Sequence, residues 1–349
     1  MSIEDEQDHL LVGSRRNRDR FERAIYNMSV MFLVGALFVP ALVGGAIAGC
    51  SSCGSSGPDT WQGPNWAGFE DYYTSGTVSA ESTEPASEPV DLDSFVHGEY
   101  LVSMDNLAGS DLIVDVGDGY SANHIKGAIP LYWGNFFDAA GNLKPVLKMG
   151  QVLGEAGISP EHSVVLYGDC ADCDAPVAPF VFWAMRYLGH EDVKVLDASI
   201  EDWNAAGKPV DVNSNSLPIA VYTPNPRSSL LADYDTVTGS EVQVLDARSF
   251  SDFARDRIPG AISLDYQRVL DGDEIKDGDE LADLFGRLEE GVYTVVYSDD
   301  LTEAAAVWYA LVLMGYDSGI YSWNDWAENS NSSGSGVDQD TKIDFVRLG

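Results

Sequence analysis

Cys170 and Cys173 stand three residues apart in the stretch LYGDCADCDAP, crowded by Asp169, Asp172 and Asp174. They are the thiols of the chain's body; the other two cysteines, Cys50 and Cys53, flank a Gly/Ser stretch near the N-terminus. A C-x-x-C at the start of a helix is the spacing of a redox dithiol, because the helix end favours the thiolate. The same spacing also suits a structural disulfide, or two inert thiols closing a loop. As a metal site it is incomplete. Two thiolates leave a tetrahedral ion two ligands short, and the other nearby candidates are His162, His190 and the aspartates. The carboxylates oppose thiolate formation. At ~4–6 Å each like charge costs on the order of 1 kcal/mol, about what a helix end returns.

Charge narrows the partners. The chain has 349 residues, with 56 acidic against 20 basic and a formal net charge of −36. Such a surface repels phosphate backbones, so nucleic acid is not an expected partner, and it repels small anions too. Its direct consequence is solubility, in a salty medium included. Apolar residues make up 45% of the chain, enough for about two domains with a sizeable core.

The first fifty residues read as an address. Residues 15–23, RRNRDRFER, carry five arginines, and residues 29–49 carry no charge. The apolar run is long enough to cross a bilayer, and the basic flank holds its N-terminal side in the cytoplasm. It ends in IAGC, which resembles a bacterial lipoprotein cleavage box. That resemblance implies acylation of Cys50, a new N-terminus there and lipid anchoring in the cell envelope. The competing reading is an uncleaved membrane anchor, and both place the body outside the cytoplasmic membrane. Arg15 and Arg16 form a twin-arginine pair far from the apolar run, a weak export signal. The division expected is a targeting segment over 1–49, a Ser/Gly/Pro/Glu-rich tether over 50–91, a first domain over 92–212, a linker over 213–236, a second domain over 237–330 and a polar tail over 331–349.

The body is written twice. DLIVDVGDGYSANHIKGAIPL, from Asp111, matches VQVLDARSFSDFARDRIPGAISL, from Val242. Each is a short β-branched strand ending in Asp, a polar stretch, a glycine turn and a second short strand. Further on, SVVLY and YTVVY each precede a loop and a strongly apolar helix, with Pro176 suiting a first helical turn and Gly189 and Gly315 suiting the ends. A strand and a Trp-bearing segment close each copy. Strands alternating with helices imply α/β domains with mostly parallel sheets flanked by helices.

In these residues the sequence resembles the tandem rhodanese-like family, the thiosulfate and 3-mercaptopyruvate sulfurtransferases. The resemblance spans about residues 95–328. It rests on HIKGAI and DRIPGAI, on LDAR, on YLGHEDVKVLD and LMGYDSGIY, and on Trp203 and Trp326 in the same order twice. It implies a persulfide-forming cysteine directly after the central strand, an arginine a few residues on to meet an anionic donor, and activity in the second domain. No cofactor is implied.

The chain departs from that pattern where chemistry is expected. In VVYSDDLTEAA the nucleophile position is Ser298 and the arginine position is Glu303, beside Asp299 and Asp300. A hydroxyl cannot carry a persulfide, so Ser298 reads as a vestigial nucleophile position. It has no evident base for hydrolase work either, since all five histidines precede residue 191. In the first copy Gly168 takes the position after the strand, with Cys170 two residues on. Three readings stay open there: a displaced persulfide carrier on Cys170 or Cys173, a thiol–disulfide exchange pair, or a structural bridge. The expectation is a membrane-anchored, catalytically degenerate binding or scaffold module, with active sulfur transfer or thiol exchange as alternatives. A protein partner or sulfur acceptor is implied in each case. His124, Trp203, Trp326 and an Asp246–Arg248 pair are expected to be structural, and Arg186 to pair internally or snorkel.

Overall fold

The computed structural model describes residues 91–334, apart from Asp169, Ala171, Asp172, Asp174 and Asp273. The apolar N-terminal run, Cys50, the tether and the tail beyond Gly334 lie outside the described residues, as do the three aspartates beside the cysteines.

In the first half the order is β1 (Leu101–Ser103), β2 (Leu112–Asp115), β3 (His124–Ile125), β4 (Ile129–Pro130), α1 (Val146–Glu155), β5 (Val164–Tyr167), α2 (Ala178–Tyr187), β6 (Val193–Asp197), α3 (Ile200–Ala205) and β7 (Val210–Asp211). The second half runs α4 (Tyr234–Thr238), β8 (Val242–Asp246), α5 (Phe250–Arg255), β9 (Ile262–Ser263), β10 (Leu270–Asp271), β11 (Glu274–Ile275), α6 (Gly278–Phe285), β12 (Tyr293–Ser298), α7 (Leu301–Leu313), β13 (Ser318–Ser322) and α8 (Trp323–Gly334).

The repeat seen in the sequence becomes two parallel sheets, ordered β1-β6-β5-β2-β4 and β13-β12-β8-β9. In both, the strand preceding the expected site is central. VVLY in β5 is buried at all four positions, which is why it reads as an unbroken apolar run. The second sheet lacks a full counterpart of β1. Leu231 stands in for it with a single parallel bridge to Ile320.

α2 and α7 are apolar around their whole circumference because each lies between its own sheet and the opposite half. Eight residues of α2 and ten of α7 are buried. Phe182 of α2 meets Tyr309 edge-on at 5.0 Å and Trp308 at 6.0 Å between ring centroids. One hydrophobic cluster therefore runs through both halves, from Val114 and Phe180 to Val296 and Leu311. Polar stitches cross it. Tyr309 donates to the Tyr100 carbonyl at 3.0 Å, and Trp183 Nε1 to that of Leu230 at 2.8 Å. The expected linker is laid down as structure: the Asn225 and Arg227 amides bond to the Leu188 and Tyr187 carbonyls, and the Ala232 amide to that of Ile320.

The apolar helix of the first half begins at Ala178, not at Pro176, with Pro179 in its first turn. A ring at that point costs nothing, since the amide it removes has no partner within the helix. Gly189 ends the segment at φ +87°, where a Cβ would lie 2.3 Å from the Asn225 carbonyl oxygen.

Several expected structural residues take those roles. Trp203 is buried and donates to the Pro209 carbonyl. His124 is buried, stacks on Tyr120 at 3.9 Å and bonds that residue's carbonyl through Nδ1. Arg186 donates to the Glu191 carbonyl and to Tyr100 Oη.

Candidate functional site

Strand register sets up the same frame at the C-terminal edge of each sheet. Asp115 lies opposite Tyr167, and Asp246 opposite Tyr297. In the second half the frame is complete. Asp246 is buried and holds Arg248 through Nε at 2.9 Å and Nη2 at 2.6 Å, while Tyr297 donates to its Oδ2. The guanidinium lies 3.9 Å over the Trp323 ring. Burial opposes the charge of Arg248, but the hydrogen bonds and attraction of Asp246 outweigh it and hold the guanidinium firmly protonated. In the first half the place of Arg248 falls to Gly117, whose amide bonds Asp115 Oδ1 at 3.0 Å, with Tyr167 as the side-chain partner of the same carboxyl. Without a cation, burial pushes the Asp115 carboxyl up.

Ser298 closes β12 and is fully buried. Its Oγ donates to Glu303 Oε2 at 2.5 Å and accepts the Asp300 amide at 3.2 Å. Asp300 in turn caps α7, its Oδ1 accepting the Thr302 amide at 2.8 Å. The amides and dipole that a helix start offers to an anion are thus turned onto the chain's own side chains. At the C-terminal end of β13 lies an open pocket of about 540 Å³ lined by Leu231, Asp233, Asp235, Leu301, Tyr321 and Asp325 among others. Ser298 does not line it, although its register partner Ser322 does.

At the corresponding edge of the first half the described residues leave a cleft of about 60 Å³ between Gly168, Pro176 and Asp197 on one side and Glu274, Ile275 and Tyr309 on the other. Gly168 directly follows β5 at φ +131°. A Cβ there would sit 2.5 Å from the Gly117 amide nitrogen and 2.7 Å from Asp115 Oδ1. A side chain, a cysteine's included, has no room at that position. Cys170 and Cys173 form a disulfide with a Cα–Cα distance of 5.3 Å, half-buried against the core. Asp197, at the end of β6, has its carboxyl pushed up to about 6, first by burial and then by Asp202. Among the described residues no cluster of three or more His, Cys, Asp or Glu side chains is arranged to hold a metal ion.

The Rhodanese-like domain family matches residues 101–206 and 232–328, more than half the chain. The chain belongs to the rhodanese family. It is 26% identical over 251 residues to a protein of Mycobacterium bovis named putative thiosulfate sulfurtransferase 1, covering 63% of this chain and 87% of that one. It is 27% identical over 245 residues to the thiosulfate sulfurtransferase of Corynebacterium glutamicum, covering 61% and 78%. Among solved structures, the 3-mercaptopyruvate sulfotransferase SseA of Escherichia coli shares the fold, with a TM-score of 0.58 at 21% identity over 64% of this chain and 97% of that one.

Two rhodanese-like domains in one chain thus carry different substitutions where the family's nucleophile is expected. Ser298 and Glu303 are brought together, and Cys170 and Cys173 are joined to each other. Sequence reading treated Glu303 as a reversed charge facing the donor; its hydrogen bond to Ser298 was missed. The Asp246–Arg248 pair expected from the sequence is present, and the Tyr at the end of VVY is the signal that could have added Tyr297 to it.

Proposed function

We propose that this rhodanese is an extracytoplasmic binding or scaffold module, tethered to the membrane through lipid on Cys50, whose second-domain mouth no longer carries sulfur. The observation that carries the reading is the buried Ser298 hydroxyl committed to Glu303. In sulfur transfer a thiolate takes the outer sulfur of thiosulfate, sulfite leaves, and an acceptor then removes the sulfur from the persulfide. Each step fails at this position. Oxygen forms no persulfide, and Glu303 holds a carboxylate where the donor's sulfite end would need a cation. The test is thiocyanate formation from thiosulfate and cyanide by the full-length protein, before and after reduction. No turnover is expected in either state. Turnover that persists after both interior thiols are alkylated would overturn the reading. The membrane tether rests on the sequence of residues 15–50; no helix among the described residues is long and apolar enough to cross a membrane. Intact mass of the membrane-fraction protein tests it, with an acylated N-terminal Cys50 as the expected species.

The Cys170–Cys173 bond favours a second reading, thiol–disulfide exchange with a partner. A partner thiolate would attack one sulfur, the other would leave as thiolate, and the partner's second thiol would resolve the mixed disulfide, so that two electrons pass from partner to chain. A persulfide formed on Cys170 or Cys173 by attack on thiosulfate requires prior reduction, because the bonded sulfurs offer no thiolate. Trapping with a Cys173→Ser variant distinguishes the readings: a mixed disulfide with a protein partner supports exchange, and a mass gain of one sulfur atom supports transfer.

A further inference from the structure

The pocket at the C-terminal end of β13, beside the start of α7, has the wrong sign for an anion. Its lining combines Leu143, Leu231, Leu301 and Tyr321 with three carboxylates, Asp233, Asp235 and Asp325, and among the described residues includes no Lys, Arg or His. At about 540 Å³ it is within the range of small-molecule sites, and it sits at the C-terminal edge of a parallel sheet, where α/β folds take ligands. Two short elements hold the acids on its rim. α4 carries Asp233 and Asp235 at its start, α8 carries Asp325, and Tyr234 stacks on Trp326 at 5.3 Å to pack the two together.

Hydrogen bonds fix the carboxylates of Asp233 and Asp325, while Asp235 is exposed on the rim. Asp233 Oδ1 accepts the Thr236 amide at 2.9 Å and the Thr236 hydroxyl at 2.6 Å, bonds that hold its carboxyl below the usual range and therefore ionised. Asp325 Oδ2 accepts the Tyr321 hydroxyl at 2.6 Å. None of the ion pairs among the described residues reaches Asp233, Asp235 or Asp325. Three like charges around an open, partly apolar cavity repel one another and any anionic donor, and a cation seated among them relieves both costs.

We propose that this pocket binds an organic cation, a guanidinium or ammonium group on an apolar stem, with the carboxylates of Asp233, Asp235 and Asp325 around the charge and Leu231, Leu301 and Tyr321 along the stem. The proposal rests on reading the second mouth as a binding site. Its chemistry is shared by a free amine and by an Arg side chain of a partner protein, and the test separates the two.

The full-length protein is titrated by calorimetry at low salt with agmatine, with a capped Gly-Arg-Gly peptide, with N-butylurea as the neutral control and with thiosulfate. Saturable one-to-one binding of at least one cation is expected. Agmatine alone points to a free amine and the peptide alone to a basic protein segment. N-butylurea and thiosulfate should not bind. Asp235→Asn and Asp325→Asn should each weaken the cation by roughly five- to tenfold, with unchanged thermal midpoints, since both substitutions keep the side-chain shape. Cation binding that survives both substitutions, equal binding of N-butylurea, or binding of neither cation would overturn the proposal. Absence of cation binding together with absence of thiocyanate formation sinks this inference alone. Thiosulfate turnover at this mouth sinks the proposed function, whatever the cations do.

Discussion

The two mouths of this molecule began from one plan and ended far apart. On the first sheet the described residues leave a cleft of about 60 Å³, with a glycine directly after the central strand and a disulfide two residues beyond it. On the second sheet a pocket of about 540 Å³ stays open at the edge, and the residue that closes the central strand is a buried serine tied to Glu303. The frames behind them differ too, with Asp246 paired to Arg248 and Asp115 held by an amide and Tyr167 where an arginine would stand. The two halves thus differ in kind at the same edge, one with little space among the described residues and one with an oxygen where the family resemblance implies a sulfur. What they share is the strand–helix framework and the core between α2 and α7.

The largest expected effects break that framework. Arg248→Ala leaves a buried carboxylate unpaired and should cost about 3–5 kcal/mol in denaturant unfolding. Converting Gly117 to Ala should matter far less, because no charge pair depends on it. Phe182→Ala, at the seam between halves, should cost about 3–5 kcal/mol. Because one cluster runs through both halves, the loss should appear in a single transition rather than in one of two.

The next effects sharpen the contrast at the nucleophile positions. Gly168→Cys places a side chain into the Gly117 backbone and should destabilise by about 1–3 kcal/mol or more. Ser298→Cys is nearly isosteric and should cost less than about 1.5 kcal/mol. Alone it should remain inactive, with Glu303 beside the new thiol. Paired with Glu303→Arg it should acquire a persulfide detectable by mass, and failure of the pair would show that the surrounding loop is also unfit. Reducing Cys170–Cys173 should cost about 2 kcal/mol or less, as expected for so short a loop.

The smallest effect is a pH slope. The Asp197 carboxyl is raised to about 6 in the fold, above its ordinary value, so the folded chain holds a proton that the unfolded chain releases. Stability should therefore fall as pH rises from about 4 to about 6 and level off above. Asp197→Asn should remove that component and stabilise the protein at pH 7 by on the order of 1 kcal/mol.

Much of this was legible in the sequence because it lies in local pattern. The paired strand motifs, the all-apolar helices and the LDAR pair each state their burial in their own residues, and the structure places them accordingly. Ser298 could be read directly, because the position after VVY is fixed by the strand. What could not be read was side-chain contact. That Glu303 turns back onto Ser298 is a choice made within one loop and the following helix turn, whereas Leu143 reaching the other half's pocket and Glu274 and Ile275 lining the first half's cleft depend on how the halves dock. Nor did the sequence show that Asp233, Asp235 and Asp325, spread over two elements, would ring one cavity. A helix start at Pro176 was expected, and Ala178 was found, because the loop after β5 runs two residues further before the chain turns into α2.

The most direct measurement is peptide mass after the full-length protein meets thiosulfate, with Cys170 and Cys173 first reduced and alkylated. The account predicts that no peptide, the one holding Ser298 included, gains a sulfur atom, and that added cyanide yields no thiocyanate. Sulfur on the Ser298 peptide, or sustained thiocyanate release, would contradict it.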